Sequence, residues 1–475
     1  MPPKSDAPEA ELPAEFIRDD LPLPEVSERD LVTHYVRLSR KNYAVDLGFY
    51  PLGSCTMKYN PKINEAVARL PGIAHIHPLQ PDYSAQGALA ILYELQQMLA
   101  EISGFHAVTL QPAAGAQGEL TGVLVMAAYL NAIGQSQRDI ILVPDSAHGT
   151  NPATASMAGL RTVEIRSDKF GNTDIVSLRQ ALAKHEGRIA GLMITNPNTL
   201  GLFEQRIEEI CALIHEAGGL VYGDGANMNA ILGIVKPGDL GIDIMHFNLH
   251  KTFSTPHGGG GPGAGPVACV EKLAAYLPGP LAVLDPDDQY RLSMPEKSIG
   301  RVRSFWGNFG VLARAYTYIR MHGAEGLRRI AEDAVLNANY LMQRVKQAGS
   351  YPLPFGERIC MHEFVCQGQI NGAAIHALDI SKRMIDYGYH PPTNYFPLIV
   401  PEALMIEPTE TTSVESLDRF ADVMEQIAQE ACSEPHLLHE APHTAPTRRL
   451  DEVRAARQMV LTDFADEGKL AGQVA

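Results

Sequence analysis

The sequence predicts an α/β protein built around a mainly parallel sheet with helices on both faces. Three observations support this class. Apolar runs of strand length alternate with helical stretches, small residues fill one strand-to-helix turn, and polar residues follow most of the apolar runs. Such alternation is typical of β-α-β units, whose ligands bind beyond the carboxyl ends of the strands. The residues that follow each strand are therefore the ones to examine for chemistry.

Composition limits the class of protein before any motif is considered. The chain has 475 residues, of which 45% are hydrophobic and 20% charged, as in ordinary globular proteins. Its net charge of −16 argues against a nucleic acid or an anionic membrane as partner. The six cysteines are scattered without a CxxC pair. No apolar run approaches the ~18 residues of a membrane span, and the acidic start lacks the apolar core of a signal peptide, so we expect a cytoplasmic protein.

The first 60 residues predict an arm. They are rich in proline and charge, with one helical stretch at about 27–41, and such a segment needs another surface to become ordered. The arm ends in the motif PLGSCTMK at 51–58. This motif has two interpretations, a plain turn or a loop that packs into the mouth of an active site.

A turn made of small residues follows the first helix and strand. Apolar residues recur at helical spacing within 83–103, a strand is predicted at 107–110, and QPAAGAQGE (111–119) then opens into a helix that continues to 132. Small residues at such a turn leave free backbone N–H groups at the positive end of a helix, which favours a phosphate. The alternative is a tight turn of small residues, because neither the Walker nor the GxGxxG spacing is present.

Strands and helices alternate after this turn. Strands are predicted at 139–143, 162–165, 189–194, 220–222, 242–247 and 265–270, and helices at 175–184 and 206–217. Polar sequences follow four of the strands: DSAHGTN (145–151), TNPNT (195–199), GDGAN (223–227) and NLHK (248–251). One such sequence is usually a cap or a satisfied core histidine, but four at successive strand ends predict a shared crevice.

Lys251 is the residue around which this crevice is organised. It follows an apolar strand and precedes the glycine run at 258–261, which lets the backbone pass close to a ligand. That position suits a Schiff-base lysine, although a surface lysine before a flexible loop fits this stretch equally well. Asp224 could keep a pyridine nitrogen protonated, and His148 could lie over the ring and handle protons. Together these residues predict pyridoxal phosphate chemistry.

Several motifs together resemble one known family. They are PLGSCTMK, QPAAGAQGE, DSAHGTNPATA, DGANMNA, NLHKTFSTPHGGGGPG and HPPTNYFPLIVPEALMIEPTETT. They closely resemble the glycine cleavage system P-protein, in particular the second subunit of its two-subunit bacterial form, from about residue 50 to 451. The resemblance implies an aspartate-aminotransferase-like (fold type I) pyridoxal-phosphate enzyme. It has a large mainly parallel-sheet domain plus a small C-terminal α+β domain. It also implies decarboxylation of glycine and transfer of the aminomethyl group to the lipoyl arm of the H-protein.

The resemblance implies roles for individual residues. Lys251 is expected to form a covalent imine with pyridoxal 5'-phosphate, Asp224 to face its pyridine nitrogen, and His148 to stack on its ring and take part in catalysis. The implied cofactor-binding set is completed by Gly115, Ala116, Gln117, Thr199, Ala226 and His250. Thr199 is preferred to Asn198 because the family often has Pro-Ser-Thr at this place. The implied partners are P-protein subunit 1, with two copies of each subunit, and the lipoylated H-protein.

The remaining sequence predicts a smaller α+β domain. A long helix is predicted at 311–347, a strand at 360–365, and helices at 375–387 and 413–430, with Ser413 as an N-cap. We therefore divide the chain into an N-terminal arm (1–60), a large cofactor-binding domain (61–330), a small domain (331–440) and a C-terminal tail (441–475).

Two arginines bear on how the substrate carboxylate is held. Loss of the carboxylate removes its charge in the transition state, so a tight ion pair would oppose decarboxylation. We therefore expect neutral groups near His148 and Thr199 to face the carboxylate. Arg301 and Arg303 could contradict this expectation, but a structural role for them is favoured.

Two other clusters are set aside. His75 and His77 lie on one side of an extended segment without a third ligand, so no metal is expected. Cys360 and Cys366 are expected in a core or an interface.

Three functions remain open from the sequence. The first is a glycine-decarboxylating subunit. The second is another amino-acid-processing pyridoxal phosphate enzyme of the same fold, against which DSAHGTNP and NLHKTF count. The third is a non-catalytic partner subunit that has lost its cofactor, against which the retention of Lys251, Asp224 and His148 counts.

Overall fold

The computed structural model describes residues 13–16, 24–257, 263–370 and 373–461. Contacts divide the chain into two units, residues 1–43 and residues 44–475. The glycine run predicted after Lys251, at 258–261, lies outside the described residues, as does the end of the predicted tail, 462–475. The described helices contain none that is long and apolar enough to cross a membrane.

The described helices begin and end as follows. They are α1 (Glu28–Ser39), α2 (Lys62–Ala68), α3 (Pro71–Ala74), α4 (Gln86–Ser103), α5 (Gly115–Ala132), α6 (Thr150–Met157), α7 (Ile175–Lys184), α8 (Ile207–Glu216), α9 (Glu271–Ala274), α10 (Phe309–Ala348), α11 (Ala377–Asp386), α12 (Val414–Ser433), α13 (Pro435–His439) and α14 (Glu452–Arg457). Short 3-10 helices span Ala14–Phe16, Asp82–Ser84 and Pro237–Leu240.

The described strands form three sheets. They are β1 (Ala107–Thr109), β2 (Ile140–Pro144), β3 (Arg161–Ile165), β4 (Ile189–Thr195), β5 (Leu220–Gly225), β6 (Ile244–Phe247), β7 (Val267–Cys269), β8 (Leu281–Leu284), β9 (Tyr290–Ser293), β10 (Phe364–Gln367), β11 (Thr393–Asn394) and β12 (Ala403–Ile406). The largest sheet has the order β1-β7-β6-β5-β4-β2-β3.

The unit formed by residues 1–43 contains the predicted helix of the arm. Its helix α1 begins after Ser27, whose hydroxyl accepts a hydrogen bond from the N–H of Asp30 at 3.1 Å. This N-cap satisfies one of the N–H groups that a helix start leaves without an acceptor. The helix prediction for the arm is confirmed.

The seven-stranded sheet of the larger unit is mainly parallel, as predicted. The strands β3, β2, β4, β5 and β6 pair in parallel, whereas β7 runs antiparallel to both β6 and β1. Strand β1 therefore points the same way as the parallel strands. The carboxyl ends of β1, β2, β4, β5 and β6 consequently lie along one edge of the sheet.

Apolar cores cover both faces of this sheet. The helices α4, α7 and α8 contribute to one core, together with the first part of α10, while α5 packs into a core on the other face. Because both faces are covered, the central strands β2, β4, β5 and β6 are buried almost throughout. This explains why they read as continuous apolar runs in the sequence.

The third core belongs to the C-terminal part of the chain. It contains side chains of α11 and α12, the last part of α10, and the sheet β10-β12-β11. Helix α12 begins after Ser413, whose hydroxyl accepts from the N–H of Ser416, so the predicted N-cap is confirmed. Cys360 and Cys366 are both buried in this core, as expected of core cysteines.

Helix α10 contributes to both of these cores. Its first half packs in the core of the large sheet and its last turns in the C-terminal core. Gly323 interrupts the helix with a φ of 60°. Glycine tolerates that conformation at low cost, so the helix can change direction there without ending.

One predicted strand was wrong in its position. The strand expected at 360–365 begins only at Phe364. The N–H of Cys360 donates to the side chain of Asn339, and that of Met361 donates to the carbonyl of Gly201. These residues therefore connect to other segments before the chain enters the sheet, although their apolar character resembles that of a strand.

Candidate active site

A cavity of about 630 Å³ lies at the carboxyl edge of the large sheet. Its walls are formed by Gly53, Ser54, Cys55, Ala114, Gly115, Ala116, Glu119, His148, Thr150, Thr195, Thr199, Asp224, Ala226, His246, Asn248, His250, Lys251, Thr393 and Phe396. Eight of the nine predicted site residues line this one cavity, the exception being Gln117. The prediction that the polar strand ends share a crevice is therefore correct in its geometry.

The turn of small residues begins helix α5 at the cavity wall. Ala114 is the N-cap and Gly115 the first helical residue, so the first N–H groups of the helix have no acceptor within it. A side chain at Gly115 would collide with the amide of Asn248. The small residues thus leave the positive end of a helix open to the cavity, which suits an anion.

The side chain of Gln117, a residue expected to bind the cofactor, does not line the cavity. Its side chain turns back, with Oε1 accepting from the N–H of Ala113 and Nε2 donating to the carbonyl of Val302, both at 2.6 Å. Phe305 is joined to the same turn, because its carbonyl accepts from Gln111 at 2.8 Å. The segment 301–308 is thereby fixed behind the turn. Gln117 shapes the turn with its side chain, and only its backbone N–H remains available at the helix start.

Asp224 is a buried carboxylate at the end of β5. Its oxygens accept from the side chain of Asn151 at 3.1 Å and from the N–H of Ala226 at 3.0 Å, and Nε2 of His246 lies 3.6 Å away. Burial by itself raises the pKa of Asp224, but His246, Asn151 and the Ala226 N–H outweigh it and hold the pKa below the ordinary 3.8. The cavity therefore contains a carboxylate that stays ionised.

His148 lies opposite, on the loop between β2 and α6. Its ring is 5.5 Å from that of Phe396 in an edge-on arrangement, and its Nδ1 is 2.8 Å from the hydroxyl of Thr150. Burial lowers the pKa of His148 below its ordinary 6.5; Asp224 opposes this effect and Lys251 adds to it. The imidazole is therefore neutral near pH 7 and can accept or donate a proton.

Asn198 and Thr199, the two residues compared in the sequence after β4, have different surroundings. Thr199 lines the cavity, and its hydroxyl donates to the carbonyl of Ser146. The side chain of Asn198 instead bridges the backbone of Gly171 and Leu202. Thr199 is thus the one of the pair that a ligand in the cavity could reach.

Lys251 and His250 follow β6 directly. The N–H of Lys251 donates to the carbonyl of Asn248, which closes a turn that places both side chains at the cavity. Burial, with the nearby charges of His257 and Lys251, lowers the pKa of His250 to about 3. His250 is therefore a neutral neighbour of the only lysine that lines the cavity among the described residues.

The loop with the PLGSCTMK motif forms the opposite wall. Gly53 donates from its N–H to the carbonyl of Met405 on β12, and a side chain at this glycine would collide with that carbonyl. Ser54 and Thr56 have φ values of 64° and 50°, which are unusual for residues other than glycine. The second interpretation of this motif is therefore the correct one, because the loop lies at the mouth of the cavity.

Three glutamates, of which Glu363 and Glu407 are buried, hold this loop through every second residue. The N–H of Ser54 donates to Glu363 at 2.6 Å. The N–H and hydroxyl of Thr56 donate to Glu407 at 2.9 and 2.7 Å. Lys58 forms a buried ion pair of 2.8 Å with Glu410. The loop is consequently fixed by residues of the C-terminal part of the chain.

Two of these glutamates lie beside His362. One ligand atom from each of His362, Glu363 and Glu407 falls within 4.8 Å of the others, a spacing that a metal could use. Both oxygens of Glu407 and one of Glu363 already accept hydrogen bonds from the loop or from Asn227. We therefore assign the two glutamates to holding the loop.

Several cavity residues were missed in the sequence. Glu119 stands one helical turn after Gly115 on α5, so helical spacing could have placed it on the same face. His246 is buried between the hydroxyl of Tyr222 and Asp224, and alternation along β6 could have placed it beside the strand-end residues. Phe396 carries no comparable local signal.

The fold and the cavity define the class of protein. Residues 119–260 match the family described as aminotransferase class-V. The structure aligns with glutamate decarboxylase of Lactobacillus brevis with a TM-score of 0.66 at 14% identity, covering 87% of this chain and 96% of that one. It aligns with a glycine decarboxylase (P-protein) of the glycine cleavage system, solved in inhibitor-bound form, with a TM-score of 0.74 at 21% identity, covering 88% and 93%. The protein has the fold of type I pyridoxal-phosphate-dependent enzymes.

Its relatives identify the family within that class. Residues 330–443 match the C-terminal domain of glycine dehydrogenase. The chain is 55% identical to a protein of Alkaliphilus oremlandii over 97% of this chain and 94% of the relative. It is 57% identical to one of Halalkalibacterium halodurans over 95% and 91%. Both are named probable glycine dehydrogenase (decarboxylating) subunit 2. The chain belongs to the glycine dehydrogenase (decarboxylating) subunit 2 family.

The cavity contains unpaired polar groups where a pyridoxal phosphate would need them. The Oδ1 of Asn248 and the hydroxyl of Thr195 are buried and have no hydrogen-bond partner among the described residues. Both line the cavity, and Asn248 lies against the open start of α5 at Gly115. Buried polar groups of native proteins are normally paired, so a polar ligand is expected here. The residues present therefore fit this cofactor.

Proposed function

We propose that this chain is the pyridoxal-phosphate-bearing subunit of a two-subunit glycine decarboxylase of the glycine cleavage system. It decarboxylates glycine and transfers the aminomethyl group to the lipoyl arm of an H-protein. The observation that carries the proposal is the meeting of Lys251, Asp224, His148 and the start of α5 in one cavity. The family membership of the chain supports the choice of glycine.

Each group of the cavity has a distinct task in this proposal. Lys251 would hold the cofactor covalently through its amine, and the N–H groups of Gly115, Ala116 and Gln117 would bind its phosphate. Bound there, the cofactor would supply an electron sink for the bond that breaks at glycine. Asp224, kept ionised by its neighbours, would maintain the positive charge of the pyridine nitrogen. Thr199, Ala226 and His250 would complete the contacts with the cofactor.

His148 handles protons at the reacting carbon. Its neutral imidazole faces the cavity, and a neutral imidazole can both donate and accept at working pH. No arginine lines the cavity among the described residues. This supports our expectation that the carboxylate of glycine lies among neutral groups near His148 and Thr199. This arrangement favours loss of the carboxylate, because no ion pair is broken in the transition state.

The chain acts with a partner in this proposal. The relatives are named subunit 2, which supports assembly with a related subunit 1, with two copies of each. We infer that the isolated chain is inactive or nearly so, and that glycine turnover requires subunit 1 and a lipoylated H-protein. The scattered, unpaired cysteines are consistent with our expectation that the complex is cytoplasmic.

The proposal is tested by co-purifying the chain with its homologous subunit and measuring exchange of labelled CO₂ with the carboxyl group of glycine. Exchange by the assembly and little by the separated chain is expected. A visible absorption band that borohydride removes would distinguish this function from a non-catalytic subunit. A loaded assembly that processes other amino acids but leaves glycine unchanged would favour another enzyme of the same fold.

A further inference from the structure

Hydrogen bonds connect the buried Glu119 with the ring of His148. The hydroxyl of Thr150 lies 2.9 Å from Oε2 of Glu119 and 2.8 Å from Nδ1 of His148. The backbone N–H of Thr150 also points at Nδ1, at 3.2 Å. Glu119 is only 2% exposed. Thr150 is thus placed between a buried carboxyl group and the ring that lies at the proposed reaction site.

The hydroxyl of Thr150 has a single proton, so two arrangements keep both of its hydrogen bonds when Glu119 is either ionised or protonated on Oε2. If Glu119 is ionised, the hydroxyl donates to the carboxylate, and Nδ1 of His148 must carry the ring proton and donate to the hydroxyl oxygen. If Glu119 is protonated, the carboxyl group donates to the hydroxyl oxygen, and Thr150 donates to an unprotonated Nδ1. The ring proton is then on Nε2. In this second state the lone pair of Nδ1 is shared by the hydroxyl and the backbone N–H of Thr150, whereas in the first state Nδ1 cannot accept from either.

We propose that Glu119 is a positioning residue that sets the tautomer of His148 through Thr150. It thereby decides whether Nε2 offers a proton or a lone pair to the cavity. The inference rests on the proposed function only for the task of His148 at the cofactor. The relay itself consists of residues of this chain alone.

The surroundings of Glu119 favour its protonated form. Burial raises the pKa of Glu119 above its ordinary 4.5, Asp224 raises it further, and the hydrogen bonds with Thr150 and its neighbours oppose both effects. Its Oε1 is buried without a hydrogen-bond donor among the described residues, which disfavours a carboxylate more than a neutral acid. The other titratable groups around the pair are the buried Tyr222 on β5, which interacts with Glu119, His246 on β6 beside Asp224, and Lys251.

The relay gives the ring a dependence on pH that differs from its own titration. Burial lowers the pKa of His148 and raises that of Glu119, so the two titrations move towards each other. Where the ring is neutral, loss of the Glu119 proton moves the ring proton from Nε2 to Nδ1. Nε2, the ring nitrogen that is not bound to Thr150, then changes from a donor to an acceptor while the ring stays uncharged.

The test is ¹⁵N NMR of the full chain labelled in its histidine rings, with and without added pyridoxal phosphate. The ring shifts distinguish the two neutral tautomers, and His148→Asn identifies the resonances. We expect a pH-dependent exchange of tautomers in the natural protein. Glu119→Gln should abolish it, because an amide does not titrate. Thr150→Val should abolish it as well, whereas Thr150→Ser should retain it.

A matched control is Glu204→Gln. Glu204 is also 2% exposed and accepts from the N–H of Thr173 at 2.7 Å, but it does not line the cavity. This variant should keep the exchange. In the assembled enzyme, Glu119→Gln should lower kcat for glycine about tenfold with little change in KM, and should flatten the pH profile of kcat.

The proposal is overturned if His148 keeps one tautomer across the pH range, or if the exchange persists in Glu119→Gln or Thr150→Val. Should Glu119→Gln fail to fold, the contrast between Thr150→Ser and Thr150→Val decides. An intact exchange in a chain whose assembly does not decarboxylate glycine would count against the proposed function alone. The two hypotheses therefore fail in distinguishable ways.

Discussion

The two walls of the cavity are built by different means. On one wall, His148, Asp224 and Lys251 follow β2, β5 and β6 and converge because strands of common direction end at one edge. On the other, the loop 53–58 is held by glutamates that are 309 to 352 residues away in the sequence. The first wall carries the groups to which we assign the chemistry, whereas the second is held in an unusual backbone conformation by hydrogen bonds to glutamate side chains. Substitutions in the first should therefore remove chemistry, and those in the second should change stability and binding.

The largest effect is expected at Lys251. Lys251→Ala should lower glycine decarboxylation about a thousandfold or more and abolish borohydride trapping of the cofactor, because the covalent attachment is lost. Thermal unfolding should change little. The control is Lys236→Ala, which removes an exposed ion pair with Glu101 and should leave turnover unchanged. Trapping that persisted on another lysine would contradict the assignment.

Asp224→Asn should have the next largest effect. The imine should still form, but turnover should fall about a hundredfold to a thousandfold, since an amide cannot stabilise a charged ring nitrogen as a carboxylate does. Steady-state kinetics of the loaded assembly measures the loss. Asp243 is the matched control, a buried aspartate bound by His215 and Lys272 away from the cavity. Asp243→Asn should reduce stability and keep the turnover of the folded enzyme.

The loop wall should respond through stability. Glu407→Gln places an amide N–H against the donors of Thr56 and Asn227, and should lower the free energy of unfolding by about 1–3 kcal/mol. Denaturant unfolding measures this change, and KM for glycine should rise with it. Glu425→Gln, at an exposed position of α12, should stay within about 0.5 kcal/mol of the natural protein. Equal effects of both variants would remove the distinction between the walls.

Glu363 should make the stability of the loop wall depend on pH. Burial, reinforced by Glu407, raises the pKa of Glu363 well above its ordinary 4.5. The folded state then holds a proton that the unfolded state releases, so this residue's contribution to stability falls as pH rises from about 4.5 towards the raised value. Glu363→Gln should remove that part of the pH dependence of the unfolding free energy. A variant with an unchanged pH profile would show that Glu363 is ionised in the folded protein.

The smallest effect is expected at Arg301 and Arg303. Arg301 lines a separate cavity with Leu79 and Phe305, and neither arginine lines the proposed active site. Replacing either by Lys should change KM for glycine by less than about threefold. A carboxylate clamp would instead weaken binding by ~100-fold or more, about 2.7 kcal/mol, with assembly and cofactor intact. That result would show that residues outside the strand ends also bind the substrate.

The large sheet was predictable because its strands are buried on both faces and end in polar residues. Helix α7 was predicted with its observed bounds, as its apolar spacing and the Asp174 cap agree. The order of the strands, and the reversed direction of β7, could not be read from one sequence, because pairing depends on contacts between distant segments. The strand predicted at 360–365 was misplaced because Cys360 and Met361 are apolar for reasons of core packing and not of sheet pairing.

The residues of the candidate site also divide into those that the sequence predicts and those that it does not. Residues such as His148 and Thr199 were predictable from the strand rhythm together with the resemblance, which supplied their expected roles. The side chain of Gln117 was not, since its partner Val302 is distant in sequence. Glu119 lay within a quoted motif, but its link to Thr150 depends on the packing of α5 against α6. Side chains that act by holding others leave a weaker local pattern than those that follow a strand.

The segment that fixes the turn at the start of α5 has an optical consequence. Trp306 is the only tryptophan of the chain, and it is buried within this segment, with its ring 5.7 Å from that of Phe309. Fluorescence excited at the indole therefore comes from one place, beside the phosphate end of the proposed cofactor site. A pyridine chromophore bound there would take up the excitation energy of the indole by resonance transfer before it is emitted. Loading of the cavity should consequently be visible as quenching of a built-in fluorophore, without any label.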